Sequence, residues 1–258
     1  MIKLVASDID GTLLLNGSRS LSERIVEQIK KLKQQGVLFV ASSGRQIPNL
    51  KRLFAPVADD IAYIAENGAI IEYNGKIIFK KPIERQLGIQ ILKDIRKQNN
   101  CEILLSGENV SYLEPKNISY EEHMRNFVKN NVEVVKDITK VEEDFLKISV
   151  YEKDNIDNCA DYFKNKWSDK VTVVTSGYKW LDMIDKNVNK GNAMTYLMNY
   201  VNISPDECMA FGDNYNDLEM LDVVKYSYAM DTAQPNVSDN CYGTTDTVEN
   251  CISQMLKV

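Results

Sequence analysis

The sequence predicts an α/β protein whose parallel-sheet core, residues 1–81 and 186–258, is interrupted by an inserted α+β domain at residues 82–185. In the two outer segments, short apolar strands alternate with amphipathic helices, a pattern typical of parallel sheets that are covered on both faces. In the middle segment, helices are mixed with strands of antiparallel character, which indicates a separate α+β domain.

The first segment opens with a short buried strand, Ile2–Ser7, and continues with a helix. Ser20 and Glu23 have the spacing of a capping box for that helix, and Gly36 marks its end. The elements that follow are a strand Val37–Ser42, a helix with Pro48 in its first turn, a strand Ile61–Ala65, and a hairpin Ala69–Lys80 that turns at Asn74-Gly75.

The insertion and the last segment complete the predicted order. The insertion has helices near Glu84–Gln98, Ser119–Lys129 and Asn155–Trp167, and strands at Phe145–Glu152, Val171–Thr175 and Lys179–Ile184. The last segment has a helix from Lys190 to near Tyr200, a strand Cys208–Phe211, a helix from near Tyr215, and a final helix Val248–Leu256.

Composition excludes several classes of function. The net charge of −6 and the absence of a Lys/Arg cluster argue against nucleic-acid binding, and no apolar run approaches the roughly 20 residues of a membrane span. The five cysteines contain no C-x-x-C pair, so neither a disulfide framework nor a zinc site is expected, and free thiols favour a cytoplasmic protein. With one histidine, His123, a Ser-His-Asp hydrolase is also excluded.

Two carboxylates, Asp8 and Asp10, follow the first strand directly. Ligands of open α/β sheets bind at the carboxyl ends of strands, and two close carboxylates repel each other unless a cation or a shared proton intervenes. Mg²⁺ with oxygen ligands satisfies that requirement. A solvated Asp-Gly turn is an equally good interpretation of these residues alone.

A second acidic segment follows the strand Cys208–Phe211. Asp213, Asn216 and Asp217 have i, i+3, i+4 spacing and are therefore expected on one helical face. Acidic residues at a helix start can serve as caps, but three oxygen-bearing side chains exceed that need and favour a metal site.

Two further segments could bind phosphate. Ser43 and Gly44 end the second strand, where a hydroxyl and backbone N–H groups can face an anion, and Lys190 begins a helix where the core resumes. Taken alone, the first is better explained as an ordinary turn and the second as a solvated lysine. The order of the four segments, all at strand ends or helix starts, favours phosphate chemistry.

With these segments the sequence resembles the haloacid dehalogenase superfamily of phosphatases, in its Cof-like branch with a large α/β cap of type C2. The matching motifs are Asp8-x-Asp10-Gly11-Thr12, Ser43-Gly44-Arg45, Lys190-Gly191 and Gly212-Asp213-x-x-Asn216-Asp217, and Glu66-Asn67-Gly68-Ala69 also resembles this branch. The resemblance implies a Rossmann-like three-layer core and a cap that selects the substrate.

The resemblance also implies roles for individual residues. Asp8 would be the nucleophile that forms an aspartyl-phosphate, and Asp10 the general acid and base. Mg²⁺ would be held by Asp8, the backbone carbonyl of Asp10, and Asp213, with Asp217 as a further ligand or as the residue that positions Lys190. The phosphate would be held by Ile9, Ser43, Gly44, Lys190 and Asn216.

The expected function is a Mg²⁺-dependent phosphatase of small phosphorylated metabolites, such as sugar phosphates, without nucleic-acid or membrane partners. A phosphomutase of the phosphomannomutase type uses the same pair, Asp8 and Asp10, and is the alternative. A phospho-aspartate signalling module is a third possibility, against which Asp10 argues because an acid/base beside the nucleophile promotes hydrolysis of the acyl-phosphate. The sequence identifies neither the ester nor the oligomeric state.

Overall fold

The structure, a computed structural model, describes residues 1–176 and 178–256. The chain forms two compact units. The first contains Met1–Arg45, Leu50–Phe79 and the residues from Asn189 onward, and the second contains Gln46–Asn49 and Lys80–Val188.

The first unit is built on a mostly parallel sheet. Within the described residues its eight strands are β1 (Leu4–Ser7), β2 (Leu38–Ser42), β3 (Ile61–Ala65), β4 (Ile70–Tyr73), β5 (Lys76–Lys80), β12 (Cys208–Gly212), β13 (Tyr226–Met230) and β14 (Gly243–Thr245). Their order is β14-β13-β12-β1-β2-β3-β4-β5. Neighbours from β14 to β3 are parallel, whereas β4 is antiparallel to β3. The predicted parallel α/β core is confirmed.

Both faces of this sheet are buried. The helices of the first unit are α1 (Glu23–Gln34), α2 (Ile47–Leu53, whose first residues belong to the second unit), α6 (Lys190–Val201), α7 (Leu218–Asp222) and α8 (Val248–Met255). Met194 of α6 and Met220 of α7 pack with Ala6 and Val40 on one face. The alternate strand residues, such as Phe39, point to the other face and are equally buried. Helix α1 contacts β2 and α8.

The second unit is an α+β domain, as predicted. Its strands are β6 (Cys101–Ser106), β7 (Ser111–Leu113), β8 (Val132–Val134), β9 (Lys147–Glu152), β10 (Val171–Thr175) and β11 (Trp180–Asp185), in the order β10-β11-β9-β6-β7-β8. All neighbours are antiparallel except β7 and β8. Its helices are α3 (Arg85–Arg96), α4 (Ile118–Glu122) and α5 (Asp157–Trp167), and α4 continues into a π-helical segment, His123–Val128. Side chains of α3 and α5 pack on one face of this sheet.

The predicted cap of α1 is wrong by two residues. The N-cap is Ser22, whose side chain accepts a hydrogen bond from the backbone N–H of Ile25, and Glu23 is the first residue of the helix. Ser20 is exposed and lies outside the helix. Because Ser22 has an extended backbone, its hydroxyl reaches the third helical N–H, and the reciprocal Glu of a capping box has no place.

Two turn predictions are confirmed by backbone angles. The hairpin between β4 and β5 turns at Asn74 and Gly75, whose φ angles are 50° and 72°. Gly36, just beyond α1, has a φ of 74°. Positive φ angles at both central residues match the right-handed twist of a two-residue hairpin, which is why Asn-Gly is favoured there.

All five cysteines are free thiols. Across the two described ranges, every helix is too short or too polar to cross a membrane.

Candidate active site

Three of the predicted site segments follow three neighbouring strands. β1 lies between β12 and β2, and Asp8, Asp213 and Ser43 are the residues that come directly after β1, β12 and β2. Because these strands are parallel, the three side chains start from the same edge of the sheet. β1 is also the point from which the strand order runs in both directions, and open α/β sheets bind ligands at such a point.

Lys190 lies at the centre of the site and is fully buried. It is the first residue of α6, and its Nζ donates to Oδ1 of Asp8 and to Oδ1 of Asp217, at 2.6 Å each. Burial by itself would lower the pKa of Lys190, but the two carboxylates outweigh it and raise the pKa. Lys190 is therefore held as a cation between two acids, which excludes the alternative of a merely solvated lysine.

Three buried or half-buried carboxylates form a group beside this lysine. Asp8, Asp213 and Asp217 each offer an oxygen, and these oxygens lie within 4.8 Å of one another. Burial, and then the charge of Asp217, raises the pKa of Asp8 although Lys190 opposes the shift. Burial also raises the pKa of Asp213. A single lysine does not balance three desolvated acids, so a hard cation with oxygen ligands fits this group.

The predicted common helical face of Asp213, Asn216 and Asp217 is wrong. A 3₁₀ turn, Tyr215–Asp217, begins only after Asn214, which is its N-cap, so Asp213 precedes the helical residues. Asp217 comes close to Asp213 because its Oδ2 accepts from the backbone N–H groups of Asp213 and Asn214, at 3.1 Å each. The loop folds back on Asp217, and this brings the acids together without a helical repeat.

Asp10 stands apart from the carboxylate group. Its side chain is 58% exposed, and both of its oxygens accept from Arg45, Oδ2 from Nε at 2.8 Å and Oδ1 from Nη2 at 2.5 Å. This bidentate contact fixes the plane of the carboxylate. The Asp10 side chain is thus positioned by Arg45, near the strand end that carries Asp8 but outside the group that could hold a cation.

The predicted phosphate-binding residues are drawn together through Asn67. Asn216 donates from Nδ2 to Oδ1 of Asn67 at 3.1 Å, and the backbone carbonyl of Ser43 accepts from the Asn67 N–H at 3.0 Å. A Cβ on Gly44 would lie 3.1 Å from the same Asn67 oxygen. Ile9 is fully buried, so its side chain is part of the core.

Three residues of the site were not assigned from the sequence. They are Arg45, Asn67 and Thr12, whose hydroxyl donates to Oδ1 of Asp213 at 2.8 Å. All three stand inside the motif segments, which was the available signal. Their partners lie far away in the chain, so spacing alone could not assign them.

Comparisons with known sequences and structures found similar proteins for nearly the whole chain. A sequence model of the haloacid dehalogenase-like hydrolases matches residues 5–256. The chain is 28% identical to 5-amino-6-(5-phospho-D-ribitylamino)uracil phosphatase YbjI of Escherichia coli, covering 97% of this chain and 96% of that protein. The crystal structure of SMU.1108c from Streptococcus mutans has a TM-score of 0.88 at 29% identity and covers 100% of both chains. TM0651 from Thermotoga maritima has a TM-score of 0.83 at 25% identity, with 98% and 97% covered.

Proposed function

We propose that this chain, which belongs to the haloacid dehalogenase-like hydrolase family and is a phosphoric monoester hydrolase, acts on small phosphorylated metabolites with Mg²⁺ and an aspartyl-phosphate intermediate. The observation that carries the proposal is the environment of Asp8. Asp8 directly follows β1, the strand from which the sheet order runs in both directions. Its carboxylate accepts a hydrogen bond from the buried ammonium of Lys190 and belongs to a group of acids that can hold a cation.

Mg²⁺ would be held by Asp8, the backbone carbonyl of Asp10, and Asp213, with Asp217 beside them. When bound, the cation supplies positive charge that lets an anionic phosphate approach an anionic carboxylate. Both oxygens of Asp217 already accept hydrogen bonds, one from Lys190 and the other from backbone N–H groups. We therefore assign Asp217 to positioning Lys190 and the Asp213 loop rather than to direct ligation.

The chemistry divides between the two acids that follow β1. An oxygen of Asp8 attacks phosphorus and the bond from phosphorus to the ester oxygen breaks. Asp10, in its protonated form and with that oxygen turned from Arg45 to the ester oxygen, gives its proton to the departing alkoxide. Asp10, now a carboxylate, takes a proton from water, which attacks the phosphorus of the aspartyl-phosphate and releases inorganic phosphate and Asp8. Lys190 stabilises the negative charge on Asp8 and on the transferred group throughout.

The phosphate itself would be bound by Ser43, the backbone of Gly44, Lys190 and Asn216. The backbone of Ile9 would contribute as well, since its side chain is buried. The inserted segment, residues 82–185, carries none of these residues, and we assign it the choice among esters. A sugar or polyol phosphate is the proposed substrate class, and the phosphoribityl ester named for the Escherichia coli relative is one member to test.

Phosphate release from a panel of sugar, polyol and nucleoside phosphates tests the proposal, measured with Mg²⁺, with EDTA, and for Asp8→Asn. We expect Mg²⁺-dependent turnover that falls by at least about a thousandfold in Asp8→Asn, because the nucleophile is lost. Asp239→Asn, at an exposed position outside the motif segments, is the matched control and should keep full activity. Full activity of Asp8→Asn, or turnover that EDTA leaves unchanged, would refute the mechanism.

A further inference from the structure

The segment Glu66–Gly68, between β3 and β4, has an unusual backbone. Glu66, Asn67 and Gly68 have φ angles of 51°, 56° and 101° in succession. Glycine adopts such angles readily and asparagine tolerates them, but for glutamate they are strained. Glu66 and Asn67 are nevertheless almost fully buried. Strained backbone that persists in a buried segment is held by its surroundings, and it concentrates at functional sites.

Backbone contacts of this segment hold it against the site. The N–H of Glu66 donates to the carbonyl of Arg45 at 3.1 Å, and the N–H of Asn67 donates to the carbonyl of Ser43 at 3.0 Å. On the other side, a Cβ on Gly68 would collide with the carbonyl of Asn189. The segment Glu66–Gly68 thus lies between the turn after β2 and Asn189, the residue that precedes Lys190.

The side chain of Asn67 is aimed at the residues assigned to phosphate. Its Oδ1 accepts from Nδ2 of Asn216 at 3.1 Å, and the same oxygen lies next to the bare α-carbon of Gly44. An amide has donors only on nitrogen and acceptors only on oxygen. Accepting from Asn216 therefore decides which way the Asn216 amide is turned, and a second N–H of that nitrogen remains for another acceptor.

We propose that Asn67 is a positioning residue for phosphate binding, which orients the Asn216 amide so that its second N–H faces a phosphate oxygen. The inference rests on the proposed function, because it assigns a ligand to Asn216. The left-handed backbone of residues 66–68 places the Asn67 amide between Gly44 and Asn216. The same backbone conformation strains the neighbouring Glu66.

The variant Asn67→Gly tests the role of the side-chain amide separately from that of the backbone conformation. Glycine adopts a φ of 56° without strain, so the variant keeps the turn and loses only the side chain. Asn74→Gly makes the same substitution at a φ of 50° in the exposed turn of the hairpin, and it is the matched control. Near-ultraviolet circular dichroism and melting temperature establish that both variants are folded.

The readouts are KM and the inhibition constant of inorganic phosphate, measured with Mg²⁺ for wild type, Asn67→Gly, Asn216→Ala and the double variant. We expect Asn67→Gly to raise both constants about tenfold, the effect of one misdirected hydrogen bond to an anion. In the Asn216→Ala background the same change should matter less than about twofold, since a residue that acts through Asn216 is not additive with its loss.

Two results would decide against the inference. Asn67→Gly with constants like those of Asn74→Gly would remove any role for the amide. Effects of Asn67→Gly and Asn216→Ala that multiply in the double variant would show that Asn67 does not act through Asn216. Wild type without Mg²⁺-dependent turnover would instead refute the proposed function, so the two failures are distinguishable.

Discussion

The chemistry of the site depends at the residue scale on how one buried ammonium is shared. Lys190 contacts Asp8 and Asp217 at equal distances, so it restrains the proposed nucleophile and an acid that organises the next loop. A buried charge is tolerated only when it is paired and hydrogen-bonded. The sequence motif indicated a lysine at a helix start, but its complete burial follows from β1 and α6 meeting in space.

Arg45 is the residue for which the structure makes the sharpest new kinetic prediction. Its guanidinium holds both oxygens of Asp10. Arg45→Gln should leave Asp10 in place but poorly oriented, and kcat should fall by about a hundredfold for alkyl phosphates, the scale of general acid catalysis.

The same variant should lose far less activity toward p-nitrophenyl phosphate, because this leaving group departs without a proton. Arg52→Gln, in the last turn of α2, is the control. Equal losses for the two classes of ester would mean that Arg45 does not act through Asp10.

The cap of α1 gives a test at the element scale. Ser22 caps this helix through the N–H of Ile25, whereas the exposed Ser20 lies two residues before it. Ser22→Ala should lower the free energy of unfolding by about 1 kcal/mol, the usual effect of losing an N-cap. Ser20→Ala should leave it unchanged. Urea unfolding monitored by circular dichroism measures both, and the reverse ranking would restore the capping box at Ser20 and Glu23.

Predictability from sequence varies between elements for physical reasons. Asn74-Gly75 and Gly36 were predicted correctly because their conformations depend on local sterics. The π-helical segment His123–Val128 was not, since it begins inside a continuous helical pattern and ends at Lys129 with a φ of 60°. The helix predicted from near Tyr215 likewise begins as a 3₁₀ turn, Tyr215–Asp217, which Asn214 caps.

At the scale of the whole molecule, the sequence predicted the parallel core and the α+β insertion, but not the strand order. β1 pairs with β12, with Leu4 opposite Cys208 and Ser7 opposite Phe211. No local pattern encodes a pairing between strands so far apart in the chain. The motifs at both strand ends are what indicated that they meet, and the contacts of Asn67 and Thr12 depend on that meeting.

The central claim is that Asp8 accepts the phosphoryl group. The protein is mixed rapidly with substrate and Mg²⁺, denatured, and treated with borohydride. Borohydride reduces the acyl-phosphate of an aspartate to a primary alcohol, so a phosphorylated aspartate becomes homoserine. Peptide mass spectrometry should find homoserine at position 8 in wild type. It should find more in Asp10→Asn, where the water that hydrolyses the intermediate lacks its base, and none in Asp8→Asn. Turnover with an unmodified Asp8 in wild type and in Asp10→Asn would contradict the account.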